Sequence, residues 1–165
     1  MTRSNCGPKD SLVSTIWKKL NLKNEPKILV VNAPESFEPQ IESLDPDEVS
    51  VVRSWRAKGI PFLLLFATKQ IEISNAAKKL ATHTTGDTIV WIAYPKKSSK
   101  NYQCEFDRDT GWASFGKIGF EGVRQVAIDE DWSALRFRRV EFIKSMKRDP
   151  KRAISKTGKA RTKKS

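Results

Sequence analysis

Pro61-Phe62-Leu63-Leu64-Leu65-Phe66-Ala67-Thr68 is the stretch that decides the fold. Five consecutive large apolar residues follow a proline and give way to Ala67 and then the polar Thr68. A strand half-exposed to water alternates apolar with polar residues. An unbroken run instead predicts burial on both faces, as in the centre of a parallel sheet. Thr68 then opens a helix. Ile73, Ala76, Ala77, Leu80 and Ala81 recur at i, i+3, i+4, i+7 and i+8, one apolar stripe, and Gly86 is the stop signal. Thr88–Tyr94 is the next strand, ended by Pro95.

Working outward toward the N-terminus, Lys27–Val31 lies between Pro26 and Pro34 and predicts a buried strand, with a weaker one at Val49–Val52. Residues 11–22 predict an amphipathic helix carrying Leu12, Val13, Ile16, Trp17 and Leu20, capped by Asp10 or Ser11. Toward the C-terminus, Asp107–Lys117 predicts a short helix with Trp112 and Phe115 inward and Gly119 at its end. Val123–Ile128 and Trp132–Arg139 are joined only by Asp129-Glu130-Asp131, so they must be antiparallel. Strands separated by helices imply an α/β fold, a Rossmann-like three-layer sandwich with a mostly parallel sheet and one antiparallel strand from a C-terminal hairpin. Trp91 and Trp132 are expected in the core.

The chain has 165 residues, 38% of them hydrophobic, enough for one domain with a real core. Residues 1–10 are polar and predict a flexible N-terminus without a signal peptide, 11–144 the single α/β domain, and 145–165 a disordered basic tail. The longest apolar run, Ile60–Ala67, is far short of the roughly 20 residues of a membrane span. Two cysteines, Cys6 and Cys104, make no disulfide framework, and the expected location is cytoplasmic with reduced thiols. The net charge of +12 is unevenly spread: residues 144–165 hold ten Lys or Arg against Asp149 alone, leaving +3 for residues 1–143.

Val90-Trp91-Ile92-Ala93-Tyr94-Pro95-Lys96-Lys97, Val123 through Arg138 (VRQVAIDEDWSALRFR) and Leu29-Val30-Val31-Asn32-Ala33-Pro34-Glu35 resemble a bacterial family catalogued only as a domain of unknown function. The resemblance covers roughly residues 12–144 and implies a bacterial origin without an activity. More loosely, the order of a helix, a Gly-bounded turn, an apolar strand ending in Tyr-Pro, another helix and a final hairpin resembles the class I methyltransferase fold. That resemblance implies a strand order of 2-1-3-4-6-5, the last strand antiparallel and inserted. Fold does not imply function.

An adenosyl cofactor needs a glycine-rich turn after the first strand and usually an acid after the second. Here the first strand ends Asn32-Ala33-Pro34-Glu35 and the second Val52-Arg53-Ser54, so methyl transfer and dinucleotide binding are both disfavoured. No P-loop pattern occurs. The single histidine, His83, falls at a helix end, where it reads as a solvated residue on the helix dipole. Cys104 has no nearby His to activate it. Asp129 and Asp131 could do acid–base work, but turn chemistry explains them more simply. No cofactor and no metal are expected.

In an open α/β sheet, ligands bind outside the carboxyl ends of the strands. The loops expected there are Asn32–Glu35, Thr68-Lys69 and Tyr94–Lys100. Lys96, Lys97, Ser98, Ser99 and Lys100 suit an anion, although a solvated loop is the plainer reading. Arg124, Arg136 and Arg138 could form a basic stripe, against ordinary in/out patterning. In the tail, Lys147, Arg148, Lys151, Arg152, Lys156, Lys159, Arg161, Lys163 and Lys164 are expected nucleic-acid contacts through counterion release. The first-ranked function is a non-catalytic binding or interaction domain, with a protein partner. Nucleic-acid association through the tail, and an enzyme or small-anion receptor using the carboxyl-edge loops, are the alternatives.

Overall fold

The computed structural model describes residues 16–56, 58–143 and 153–158. Six strands form one sheet: β1 (Lys27–Val31), β2 (Ser50–Val52), β3 (Phe62–Phe66), β4 (Ile89–Pro95), β5 (Phe120–Ala127) and β6 (Trp132–Arg139). Their order is β2-β1-β3-β4-β6-β5. β1 pairs parallel with β2 and β3, and β3 with β4. β6 runs antiparallel to both β4 and β5. The architecture and order expected from the sequence are those observed.

The pleat divides the central strands between two cores. On one face Leu63 and Leu65 of β3, Val90, Ile92 and Tyr94 of β4, and Leu135 and Phe137 of β6 meet the apolar stripe Ile73, Ala76, Ala77 and Leu80. That stripe belongs to the helix Gln70–His83, and the short helix Ala113–Lys117 brings Phe115 to the same core. On the other face Phe62, Leu64, Phe66, Trp91, Trp132 and Ala134 meet Ile16, Trp17, Leu20, Phe37 and Ile41. All five β3 residues are buried, each a gain of about 1.5–3 kcal/mol over an exposed position. Trp91 and Trp132 are both in the core, and the Trp91 indole N–H donates to the Leu20 carbonyl at 2.6 Å.

We label the helices α1 (Glu38–Glu42), α2 (Gln70–His83) and α3 (Ala113–Lys117). α1, preceded by a 3-10 turn at Glu35–Phe37, was not expected. It forms because Pro39 falls in its first turn, where a missing N–H costs nothing. The helix expected over 107–117 is confined to α3. Asp107 instead accepts the N–H groups of Asp109 and Thr110, a side-chain turn that competes with the helix. β5 begins at Phe120, three residues ahead of the expected start, and has an irregularity between Gly122 and Arg124. Of the N-terminal helix, residues 16–19 are helical, and Asn21 ends it at a positive φ of 62°. Residues 11–15 and the expected flexible segment 1–10 lie outside the described residues.

The expectation of a disordered tail does not describe residues 153–158. Ala153 and Ser155 are buried, and the fully buried Glu121 carboxylate accepts the N–H groups of Ile154 and Ser155. Ser155 caps a helical turn by accepting the Gly158 N–H at 2.8 Å. Composition pointed to disorder because the tail has few apolar residues; the segment is held by buried Ala153, by Ile154 packed against the α2-side core, and by hydrogen bonds to Glu121. The rest of 145–165 lies outside the described residues.

Candidate functional site

The three loops expected at the carboxyl edge have different fates. After β1, Asn32 turns the chain at a φ of 60°, and Pro34 starts the 3-10 turn that buries Phe37. The Asn32 side-chain amide donates to Glu72 Oε2 at 3.4 Å. Glu72 Oε1 accepts the N–H of Thr68 at 2.9 Å and of Lys69 at 3.0 Å. The next amide, Gln70 N–H, donates to Glu105 at 2.8 Å. These are the amides at the start of α2, beside the point where the strand order reverses between β1 and β3. In many α/β proteins such amides receive a ligand anion. Here the chain's own carboxylates take them.

After β2, Arg53 forms a two-pronged ion pair with Glu38 at 2.7 and 2.9 Å. The hydrogen bond from Arg53 holds the Glu38 carboxyl below its usual range, and Glu38 in turn raises the Arg53 pKa.

After β4, the loop is braced by the hairpin turn. The Lys96 N–H donates to the Asp131 carbonyl at 2.7 Å, the Ser99 hydroxyl to Asp131 Oδ1 at 2.8 Å, and the Asn101 amide to the same carboxylate. Ser99 Oγ also accepts the N–H groups of Asn101 and Tyr102. Asp129 accepts the N–H groups of Asp131 and Trp132, both at 2.8 Å, which is turn chemistry. Asp131 is therefore a brace for residues 96–102. Of the five expected anion contacts, Ser99 is committed to Asp131, and Ser98 and Lys100 are exposed on the loop. Lys96 and Lys97 line a cleft.

That cleft, about 530 Å³, lies beyond the end of β4 between Pro95 and Thr110. Tyr102 and Phe106 give it aromatic walls, and Cys104, Glu105 and Asp107 face it. The Lys97 ammonium is 3.4 Å from Asp107 and 86% exposed. Asp107 is held below its usual range chiefly by the Asp109 N–H, with help from Thr110 and Lys97. Burial pushes the Cys104 thiol up, away from the reactive thiolate. Tyr94, packed at a tilt against Phe106 and edge-on against Trp112, is pushed up to about 12 by burial, and its hydroxyl accepts from Gln125 at 3.0 Å.

His83 ends α2, at the opposite end of that helix from Glu72. Its ring packs edge-on against Trp55 and its Nδ1 lies 3.0 Å from the Lys79 carbonyl. Among the described residues no group of His, Cys, Asp and Glu could hold a metal ion, and no helix is long and apolar enough to cross a membrane. Of the expected nucleic-acid contacts only Lys156 is described, exposed on the turn after Ser155; the other eight lie outside the described residues. Glu72 and Glu105 were not singled out from sequence. Glu72 had a readable signal, an acid three residues past the helix cap. Glu105 had none.

No family model matches the chain, and no curated protein matches its sequence, so the resemblance to an uncharacterised bacterial family gains no support there. Its fold is similar to that of a SAM dependent methyltransferase from Aquifex aeolicus, at 13% identity and a TM-score of 0.51, over 84% of this chain and 100% of that one. It is also similar to the [4+2]-cyclase SpnF, at 8% identity and a TM-score of 0.50, over 79% and 80% of the two chains. The N-methyltransferase NodS from Bradyrhizobium japonicum aligns at 10% identity and a TM-score of 0.49, over 81% and 97%. The expectation of a non-catalytic binding or interaction domain is thereby corrected. The architecture is a methyltransferase-like one found in catalytic proteins, so an absent cofactor motif is no ground for ranking a non-catalytic module first.

An adenosyl group is the cofactor such a fold implies, and the residues present do not fit it. Pro34 offers no N–H where the first loop should approach the ligand. The amides of Thr68, Lys69 and Gln70 are taken by Glu72 and Glu105. β2 is followed by Arg53, and the neighbouring carboxylate, Glu38, has both oxygens on that guanidinium.

Proposed function

We propose that this chain is an enzyme on a methyltransferase-like scaffold that works without an adenosyl cofactor. It takes a small carboxylate-bearing organic substrate in the cleft beyond β4. The observation that supports this reading is how the charges lining the cleft are partnered. Both acids there have backbone partners: Glu105 accepts from Gln70, and Asp107 from Asp109 and Thr110. Among the described residues, Lys97 makes only a long, exposed contact with Asp107, and Lys96 makes no side-chain hydrogen bond or ion pair. The cations are the groups left to meet a ligand, and a substrate carboxylate is their natural counterpart. Tyr102 and Phe106 would receive the organic body. The volume lies within the roughly 300–1,000 Å³ of small-molecule sites. A structure of this fold that carries the name of a cyclase fits chemistry other than methyl transfer.

The test is calorimetric titration of the full chain with benzoate, phenylpyruvate and succinate. Saturable binding with a Kd near or below about 1 mM is expected for an aryl carboxylate. Lys96→Ala should abolish it and Lys100→Ala should leave it unchanged. Equal binding by wild type and Lys96→Ala, or no binding by any of the three probes, would overturn the reading.

A further inference from the structure

On the other face of the sheet, away from the α2 core, β5 and β6 place two arginines side by side. Arg124 and Arg136 are direct partners in the antiparallel register, so their side chains leave the same face of the sheet. Arg136 is also the register partner of Trp91 on β4 and is half-buried. Among the described residues no carboxylate lies within ion-pairing distance of either one. Two residues along β6, Arg138 is different: its guanidinium grips Asp87 at 2.7 and 2.8 Å.

This arrangement has a physical cost that no ion pair among the described residues offsets. Like charges directly opposite on a sheet repel. The Arg136 Nε–H is shielded from solvent and has no hydrogen-bond partner among the described residues, although a buried charged donor without one is costly. Burial first, then the positive neighbours Arg138 and Arg124, lowers the Arg136 pKa, with Asp87 and Glu25 opposing. The same sheet spends Arg138 on an acid and Arg139 on the Gly86 and Thr84 carbonyls. Of the four arginines in the strands, Arg138 and Arg139 are paired, and Arg124 and Arg136 make no ion pair among the described residues.

We propose that Arg124 and Arg136 form an oxyanion site for a phosphate group. Two guanidinium forks present planar sets of N–H donors, and their two positive charges match a phosphate near its dianionic state. Arg138, held by Asp87, is not part of the site. The phosphate comes either from a small phosphorylated molecule or from a nucleic-acid backbone, and both offer the same oxygens. The site is separate from the cleft beyond β4 and does not depend on what binds there.

The experiment uses the full-length 15N-labelled chain and inorganic phosphate as the probe, at constant ionic strength set with chloride. The Arg136 Nε–Hε resonance, assigned by its absence in Arg136→Lys, is expected to shift saturably in the millimolar range, with calorimetry giving the same Kd. Arg124→Gln, at an exposed position where folding is least at risk, is expected to weaken phosphate at least tenfold. Lys96→Ala is expected to leave it unchanged. A single-stranded oligonucleotide that competes with phosphate and loses affinity in Arg124→Gln identifies the backbone as the source; one that does not compete identifies a small phosphate. An Arg136 resonance that phosphate moves no more than chloride does, or a phosphate affinity unaltered by Arg124→Gln, overturns the proposal. So does binding lost in Lys96→Ala and retained in Arg124→Gln, which would put the phosphate in the cleft.

Discussion

Glu121 Oε2 receives both the backbone N–H of Ser155, at 2.6 Å, and its hydroxyl, at 2.7 Å. The two residues lie 34 positions apart, and both are buried. The contact is tight enough that a side chain at Gly158 would strike the carboxylate, and one at Gly116 would strike the Ile154 carbonyl. Together with buried Ala153 and with Ile154 on the core, this contact ties a largely polar segment to the domain.

Replacing Glu121 with Ala should therefore leave the buried N–H groups of Ile154 and Ser155 without an acceptor. A loss of about 1–3 kcal/mol for each uncompensated group is the scale involved. Urea unfolding should show it as a lower midpoint, and proteolysis should then cut after Lys156. A chain ending at residue 152 should show much of the same loss, and adding Glu121→Ala to it should cost less than in the full chain. Full additivity would mean that the carboxylate and the segment act independently.

Glu72→Ala removes the acceptor for the Thr68 and Lys69 amides and for Asn32. The loss of such a helix cap is worth about 0.5–2 kcal/mol. Thermal unfolding should show the drop, and hydrogen exchange should quicken at Thr68 and Lys69 while the amides of β3 stay protected. An unchanged exchange rate at those two amides would show that water or another group already serves them.

Tyr94 sets a limit on alkaline stability. Its pKa is raised from 10.0 to about 12, so between those values the folded chain keeps a proton that the unfolded chain has lost. Stability from this group is fully present below about pH 10 and declines through about pH 12. The absorbance change of tyrosinate in wild type should contain a late phase near pH 12, and Tyr94→Phe should lack it. The same variant should show a shallower loss of stability above pH 10.

Cys104 lines the cleft, but its thiol is raised by burial and by the nearby acids Glu105, Asp107 and Glu72, so it is poorly suited as a nucleophile. Peptide mapping after iodoacetamide treatment at pH 7.5 should show Cys104 labelled more slowly than a free thiol, and faster in urea. Cys104→Ser should bind the cleft's carboxylate probes as wild type does. Rapid labelling of the native chain would restore a chemical role for this thiol.

The sheet was legible because Phe62–Phe66 and the stripe Ile73, Ala76, Ala77 and Leu80 each carry their signal within a few residues. α1 carried no apolar periodicity to announce it; Pro39 starts it, since proline in a first turn sacrifices no hydrogen bond. The stretch at 107–111 was misread because Asp107 can bond its own following amides, a local alternative to the helix that periodicity cannot see. Lys96 and Lys97 were picked out as candidate contacts. Their surroundings were not legible, because Ser99 meets Asp131 across 32 residues and Gln70 meets Glu105 across 35. The Glu121–Ser155 contact was hidden for the same reason: only the finished fold brings that acid to those amides.

The irregular pairing between Gly122 and Arg124 has a consequence for how molecules of this protein meet one another. β5 closes one end of the sheet and is eight residues long, whereas β2, at the other end, has three. A long regular margin strand is a template on which a neighbouring chain can continue the ladder and so begin a fibril. An extra residue breaks the repeat that such growth requires and twists the margin out of plane. Deleting Val123 would restore an even repeat along β5, at the price of a surface on which crowded copies could polymerise.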